Sequence, residues 1–322
     1  MKKYVIGVDI GGTKIAAGII TATGKIVHSF TVPTLAHQGK DASMGQVILA
    51  IRELLNKSGI DKKQIEGVGL CAPGPLDPKK GIVYNPPNLP GWKNVRLASA
   101  VQKKFGIKAK LDNDANAAGV AEMIWGAAKG YKDIFYVTVS TGIGTGVIID
   151  GKLYYGKNGM AGEGGHMTIN YDDTTAKCGC GALGCVEALA SGPHTVKRLK
   201  EKIKKNPLLK TRMIELAGGR IEDITMVTVS EAAKKGDKLA VETIKNQGRL
   251  IGIWLGTVIN ILDPEIIVIG GGVSMIGELI FKEIRRSAAA NSINIFANKT
   301  PIVRAKLLNN VGVFGAASLF VV

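Results

Sequence analysis

The stretch "YVIGVDIGGTKIAAGIITATGKIV", Tyr4 to Val27, decides how the rest of the chain is read. β-rich apolar runs flank a glycine turn at Gly11 and Gly12, and a second turn follows at Thr23, Gly24 and Lys25. That order predicts a hairpin followed by a third strand. It recurs in "FYVTVSTGIGTGVIIDGKLYYG", Phe135 to Gly156, where "VSTGIGTG" stands opposite the "VDIGGTK" of the first stretch. A repeat this long implies two copies of one α/β unit, and with them two lobes and a cleft.

Between and beyond the copies, helices alternate with strands. In "DASMGQVILAIRELLNKSG" Met44, Val47, Ile48, Ile51, Leu54 and Leu55 follow the helical period, with Asp41 or Ser43 as cap and Gly59 as stop. "IEGVGLCAPG" (65–74) reads as a strand ending in a Pro/Gly loop. "GIKAKLDNDANAAGVAEMIWGAAKG" (106–130) reads as a strand, a tight corner at Asp112, Asn113 and Asp114, and an alanine-rich helix. "EIIVIGGGVS" (265–274) is a continuous apolar strand running into three glycines, the pattern of a strand covered on both faces.

A chain of 322 residues is too long for one ordinary core, so two domains are expected. At 46% hydrophobic and 21% charged residues it is globular, and 42 glycines are its unusual feature. Four cysteines exclude a secreted disulfide scaffold and point to reduced thiols or a metal in a reducing cytoplasm. The start, "MKKYVIGVDIGG", lacks a signal-peptide pattern. The most apolar later run, Leu250 to Leu262, is broken by Thr257 and Asn260, short of the roughly 20 residues a membrane span needs. The formal charge of +16 places lysines on exposed helix faces, as in "KRLKEKIKKNPLLK" (197–210), and favours anionic ligands. Nucleic acid is not expected, because no helix-turn-helix is visible and aromatics are 5% of the chain.

Three groups of residues carry candidate chemistry. "DIGGTK" and "STGIGTG" put glycines where strands turn, so that backbone N–H groups approach an anion; neither fits a P-loop. Asp9, just before the first turn, is placed to hold magnesium through water. Asp114 stands where a helix begins, as a plain N-cap or as a general base aimed at a substrate hydroxyl. Cys178, Cys180 and Cys185 have the spacing C-x-C-x4-C with glycines between, which lets three sulfurs meet one zinc. His166 or His194 would be the fourth ligand, and a disulfide is the competing reading. Glu163 and Glu187 flank the cluster as solvated acids or, with a metal clamping the loop, as part of a polyol-binding wall beside His166. Cys71 reads as a buried hydrophobe.

"DIGGTK" (9–14), "APGPLD" (72–77), "NDANAA" (113–118), "STGIGTG" (140–146), "GEGGH" (162–166), "CGCGALGCVE" (178–187) and "IGGGVS" (269–274) span nearly the whole chain. In this order they resemble the ROK sugar kinases and repressors, and specifically the glucokinase branch, within the actin-like ATPase superfamily. The resemblance implies a two-lobed, ribonuclease H-like α/β fold with duplicated β/α units and a zinc-bound loop. A smaller lobe (1–115) would be joined by the C-terminal helix (305–322), and a larger lobe (116–304) would carry the zinc loop and nucleoside region.

The resemblance also implies an ATP-dependent transfer to the 6-hydroxyl of glucose. Asp114 would be the base, Asn113, Glu163, His166 and Glu187 would bind sugar hydroxyls, and Asn88 would lie near the sugar. His166, Cys178, Cys180 and Cys185 would be the zinc ligands. Gly11, Gly12, Thr13 and Lys14 would form the first phosphate loop with Asp9, Thr141, Gly142 and Gly144 the second, and Gly271 and Gly272 would lie near the nucleoside. ATP, Mg2+ and structural zinc are the implied cofactors, and a cytoplasmic homodimer the implied state. Kinases for N-acetylmannosamine, fructose or allose and a polyphosphate-using glucokinase are the alternatives. A sugar-responsive repressor is a further one, although no DNA-binding extension precedes the fold here. Two departures are visible: Ser140 and Thr145 would add side chains near the phosphates, and the gap from His166 to Cys178 would enlarge a surface turn at Tyr171 to Thr175.

Overall fold

The structure is a computed structural model and describes residues 3–206 and 208–321. In chain order the elements are β1 Tyr4–Ile10, β2 Lys14–Thr21, β3 Ile26–Pro33, α1 Lys40–Ser58, β4 Ile65–Ala72, β5 Leu76–Asp77, β6 Ile82–Val83, α2 Leu97–Phe105, β7 Ala109–Asn113 and α3 Asp114–Trp125. There follow β8 Ile134–Val139, β9 Ile143–Ile149, β10 Lys152–Leu153, α4 Val186–Ala190, α5 Gly192–Lys205, α6 Arg212–Leu216, α7 Met226–Lys234, α8 Lys238–Leu262, β11 Ile266–Gly270, α9 Glu278–Ala290, β12 Ile302–Arg304 and α10 Val311–Ser318. The two repeated stretches form β1–β2–β3 and β8–β9–β10, and each lies in a five-stranded sheet, ordered β3-β2-β1-β4-β7 and β10-β9-β8-β11-β12.

The chain forms two compact units. The first holds residues up to Lys132, Gly146–Gly162 and the segment from Lys306; the second holds Asp133–Thr145 and Glu163–Ala305. Helix α3 stays with the first sheet in this division.

In the first unit β1 is antiparallel to β2 and parallel to β4, and β4 is parallel to β7. The register sets Asp9 beside Cys71 and Cys71 beside Asp112, so three polar groups form one row at the carboxyl ends of the parallel strands. One face of this sheet is covered by α1, whose Val47, Ile51 and Leu54 pack on Ile6, Val8, Val68 and Leu70. No side chain caps α1: Gly39 precedes it, Asp41 lies in its first turn, and Ser43 bonds back to the Gly39 carbonyl. Gly59 ends it in the left-handed region, as expected. Trp92, with no exposed surface, donates its indole N–H to Ser43 Oγ at 2.9 Å and pins the loop that carries Asn88.

The other face is covered by α10, and here the abundance of glycine is explained. A Cβ at Gly7 would lie 2.1 Å from the Val313 carbonyl oxygen, and one at Gly69 only 1.7 Å from that of Ala316. Sheet and helix meet backbone to backbone. Glu122 of α3, fully buried, accepts N–H groups from Ala127, Lys306 and Leu307, and so fixes where the chain enters α10.

In the second unit β8 and β11 are parallel and fully apolar along Ile266–Ile269, as the sequence pattern requires. Helices α8 and α9 pack closely because Gly248, Gly252 and Gly256 of α8 face the backbone of α9. Leu250 to Leu262 lies within α8. Among the described residues no helix is long and apolar enough to cross a membrane.

Gly69→Ala is expected to destabilise the chain by about 2 kcal/mol or more, since β4 and α10 must separate to admit one methyl group. Urea unfolding measures this, and an unchanged midpoint would mean that α10 does not lie against β4 as described.

Candidate active site and metal centre

The first unit holds Asp9, the Gly11–Lys14 turn, Asn88, Asn113 and Asp114. The β1–β2 turn is closed by Gly11 N–H donating to the Lys14 carbonyl at 3.0 Å and braced by Thr34, whose hydroxyl donates to the Gly11 carbonyl at 2.6 Å. Thr13 and Lys14 are exposed at its tip. Asn88 stacks on this turn: a Cβ at Gly12 would lie 3.0 Å from the Asn88 carbonyl oxygen.

At the start of α3 the capping duty falls to Asn113, not Asp114. Asn113 Oδ1 accepts the Ala115 and Asn116 N–H groups at 2.9 and 3.3 Å. Asp114 is the first helical residue; its exposed carboxylate also accepts the Ala115 N–H, at 2.8 Å. A carboxylate in the first helical turn is favoured in its charged form, the form a base needs. Behind it Asp112, 1% exposed, accepts from Asn113 N–H (2.7 Å), Asn116 Nδ2 (3.3 Å) and the Tyr155 hydroxyl (2.5 Å). Burial raises the Asp112 carboxyl, and the three donors oppose that rise. The sequence reading assigned neither Asp112 nor Tyr155 a role. They are 43 residues apart, and only the fold pairs them.

Burial, and then the charge of Asp114, push Asp9 up to about 6, against the pull of Lys14. Cys71, beside it in the sheet, is wholly buried and its thiol is raised further, first by burial and then by the surrounding acids, so it is an inert hydrophobe as expected.

The second unit gathers the metal cluster and two acids. Residues Cys178 to Cys185 fold as a tight hairpin: Cys178 N–H donates to the Ala182 carbonyl, and Gly181 N–H to the Cys178 carbonyl. Gly184 has positive φ and passes so near the Asn170 carbonyl that a Cβ would lie 1.8 Å from it, which excludes any larger residue. The ligand atoms of His166, Cys178, Cys180 and Cys185 all lie within 4.8 Å of one another. Cys180 and Cys185 sulfurs are 3.7 Å apart, and Cys178 sulfur is 3.4 Å from His166 Nδ1. With Zn–S near 2.3 Å, a tetrahedral site sets neighbouring sulfurs about 3.8 Å apart, whereas a disulfide needs about 2.05 Å. The geometry is consistent with a zinc site and is not that of a disulfide. His194 is outside it, with Nδ1 2.9 Å from Ser191 Oγ. Burial pushes the Cys178 thiol up to about 12, while the Ala182 backbone amide lowers Cys180. A metal must therefore displace protons to bind.

With Nδ1 turned to the sulfurs, His166 turns Nε2 the other way, 3.9 Å from Glu163. Glu187 takes the Ile143 N–H on Oε2 at 2.8 Å and the Cys178 thiol on Oε1 at 3.7 Å. The cluster, both acids and the start of β9 are thus one connected assembly. Thr145 departs from expectation: it is buried in β9, and its hydroxyl accepts the Gly164 N–H at 3.1 Å, so it braces the Glu163–His166 turn. The turn at Tyr171 to Thr175 is on the surface, folded around Asp173, which also pairs with Arg198 at 3.1 Å.

Ser140 and Thr141 lie at the edge of a cavity of about 650 Å³ in the same unit, with Val196, Ile224, Met226 and Val273 as apolar walls and Gly272 at its rim. Those walls were not legible in the sequence. Gly271 does not line the cavity: its α-carbon packs against the Val139 backbone, where a Cβ would lie 2.4 Å from the carbonyl oxygen. Gly144 lies within β9.

Residues 5–321 match the ROK family profile. The chain belongs to the ROK family. It is 33% identical to the glucokinase of Thermotoga maritima, over 99% of this chain and 97% of that protein. It is also 30% identical to the xylose repressor of Caldicellulosiruptor bescii, over 98% of this chain and 78% of the repressor. Among solved structures, the ROK glucokinase of Streptomyces griseus in complex with glucose and AMPPNP superposes with a TM-score of 0.84 at 35% identity, with 98% of each chain covered. The α/β architecture expected from the repeat is that of ROK kinases.

Two outcomes follow from this geometry. Purified protein should carry about one zinc ion per chain, and Cys180→Ser should weaken zinc binding at least about 100-fold, read by elemental analysis after mild chelation; a wild-type chain that never holds metal would reduce the cluster to packing. For Asp9 the folded chain keeps a proton that the unfolded chain, with its ordinary value of 3.8, has lost. That contribution to stability is present at low pH and lost as pH rises from about 4 to about 6. Asp9→Asn should therefore be more stable than wild type by about 1–3 kcal/mol at pH 7 without ligands, with the gap closing toward pH 4. Urea unfolding across that range decides it, and a gap independent of pH would be the contrary result.

Proposed function

We propose that this ROK protein is a glucokinase, moving the γ-phosphoryl group of ATP to the 6-hydroxyl of glucose. The observation that carries the reading is Asp114: an exposed carboxylate heading a helix capped by its neighbour, in a chain 35% identical to a protein whose structure holds glucose and AMPPNP.

In this reaction Asp114 accepts the proton of the 6-hydroxyl as its oxygen bonds to the γ-phosphorus. The bond from phosphorus to the β–γ bridging oxygen breaks in line, ADP leaves, and the proton passes to solvent. Glu163, the Nε2 edge of His166 and Glu187 take sugar hydroxyls, helped by Asn113 and Asn88. Buried polar groups left unpaired by a wrong sugar are the source of discrimination. Backbone N–H groups of Gly11 to Lys14 and of Thr141 and Gly142 hold the phosphates, and the cavity walled by Val196, Ile224 and Met226 takes the nucleoside. Asp9 would hold Mg2+ through water, which supplies charge neutralisation at the phosphates. His166, Cys178, Cys180 and Cys185 would hold zinc, which supplies rigidity to the loop bearing the sugar-binding acids. A homodimer in the cytoplasm completes the reading.

A second reading, a sugar sensor without catalysis, is favoured by the 30% identity to a xylose repressor. A hexose panel including N-acetylmannosamine, fructose and allose, assayed with ATP and with polyphosphate, separates the two and fixes the donor. Asp114→Asn should keep sugar affinity while kcat falls by about 10²–10⁴-fold. Turnover near wild type in that variant would remove Asp114 from the base role, and sugar binding without transfer from any donor would favour the sensor.

A further inference from the structure

A cavity of the first unit, about 840 Å³, is lined by none of the residues assigned to sugar, donor or metal. Its volume is that of a small-molecule site. Leu111, Val120, Met123 and Leu153 give it an apolar wall, and Lys79, Lys110, Lys152 and Lys157 bring cationic side chains to it. Lys110 is spent locally, donating to the Leu319 carbonyl at 2.7 Å and lying over the Phe320 ring. Lys79, Lys152 and Lys157 make no ion pair among the described residues. An apolar wall with several unpaired ammonium groups suits one ligand chemistry: a compact ring or hydrocarbon body carrying a phosphate.

The same cavity reaches the candidate base. Tyr155 and Asp112 both line it, and their hydrogen bond is the one that supports the start of α3. Asp112 in turn holds the Asn113 N–H and Asn116 Nδ2, and Asn113 caps the helix whose first residue is Asp114. A ligand that draws the Tyr155 hydroxyl away would leave a buried carboxylate one donor short and loosen that cap.

We propose that this cavity is a second binding site, for an organic phosphate, and that its occupancy acts on turnover through Tyr155 and Asp112. The binding half goes beyond the kinase reading, whereas the coupling half rests on Asp114 being the base, so the two are tested separately.

The probe is 1-naphthyl phosphate, titrated by calorimetry into the full chain with and without a saturating non-hydrolysable ATP analogue. Inorganic phosphate and 1-naphthol are the charge-only and ring-only controls. Expected is saturable binding that the ATP analogue leaves in place, with each control at least about tenfold weaker. Lys152→Glu with Lys157→Glu should weaken it by about tenfold or more, while Lys62→Glu with Lys63→Glu, exposed and outside the cavity lining, should not. No saturation at millimolar probe, loss of binding with the ATP analogue, or equal loss in both double variants would overturn the site. In steady-state assays of the wild type the probe should change kcat with the sugar KM held, and Tyr155→Phe should bind the probe but lose that response. A kcat indifferent to bound probe, or a Tyr155→Phe response equal to wild type, would overturn the coupling. A chain that transfers no phosphate at all would refute the kinase reading and the coupling with it, while the calorimetry would still decide the site.

Discussion

The backbone of α10 lies against β1 and β4 with no side chain between them, through Gly7 and Gly69. This contact sets the chemistry of the strand ends as well as the packing. Gly312, at the start of the same helix, sits on the Asp9 carboxylate so closely that a Cβ would lie 2.1 Å from Oδ2. Asp9 loses water on that side, which is the main reason its carboxyl is raised. Gly315 meets the backbone of Ala117 and Ala118, so α10 also fixes the position of α3. A helix near the end of the chain thus determines the environment of a carboxylate near its beginning. The three backbone N–H groups held by buried Glu122 tie the approach to that helix, because a carboxylate with no exposed surface cannot exchange them for water.

The second unit solves a different problem, that of ordering a loop with little apolar surface. Between Gly162 and Cys185 only Gly165, Ala176, Cys178, Gly184 and Cys185 are buried. Hydrophobic burial cannot hold such a segment. His166 and the three cysteines converge from its two ends, and the same groups fix the acids: Glu187 bonds a cysteine thiol on one oxygen and the Ile143 amide on the other. The edge of His166 that turns away from the cysteines is defined by what its other nitrogen does.

What could be read from the sequence divides along physical lines. Periodicity located α1 and β11, since their buried faces repeat at 3.6 and at successive positions respectively, and the Tyr4 and Phe135 stretches betray their common fold through turn glycines, whereas α8 and α9 were not singled out. Ligand spacing located the metal cluster, because the C-x-C-x4-C hairpin is local in the chain. Decisions one residue wide were not legible. Asn113 rather than Asp114 caps α3, since both residue types accept N–H groups and only backbone geometry assigns the duty. Thr145 faces Gly164 instead of a phosphate because β9 begins at Ile143 and its alternation buries that side chain. The pairing of Asp112 with Tyr155 and the apolar walls of the cavity between Val196, Ile224 and Met226 join distant segments, and nothing in either segment alone announces the other.

The charges at the strand ends make one further point about how binding and proton transfer are linked. Asp112 accepts three hydrogen bonds from uncharged donors, whereas Asp9 feels the charge of Asp114 and has Lys14 as its opposing cation. Asp114 disfavours the ionisation of Asp9, whose carboxyl burial and that charge together push up to about 6. A cation held at Asp9 would favour the ionised carboxylate there, acting in the same sense as Lys14. Cation binding at the end of the first strand and release of the Asp9 proton would then be one linked event, because the fold has raised that carboxyl.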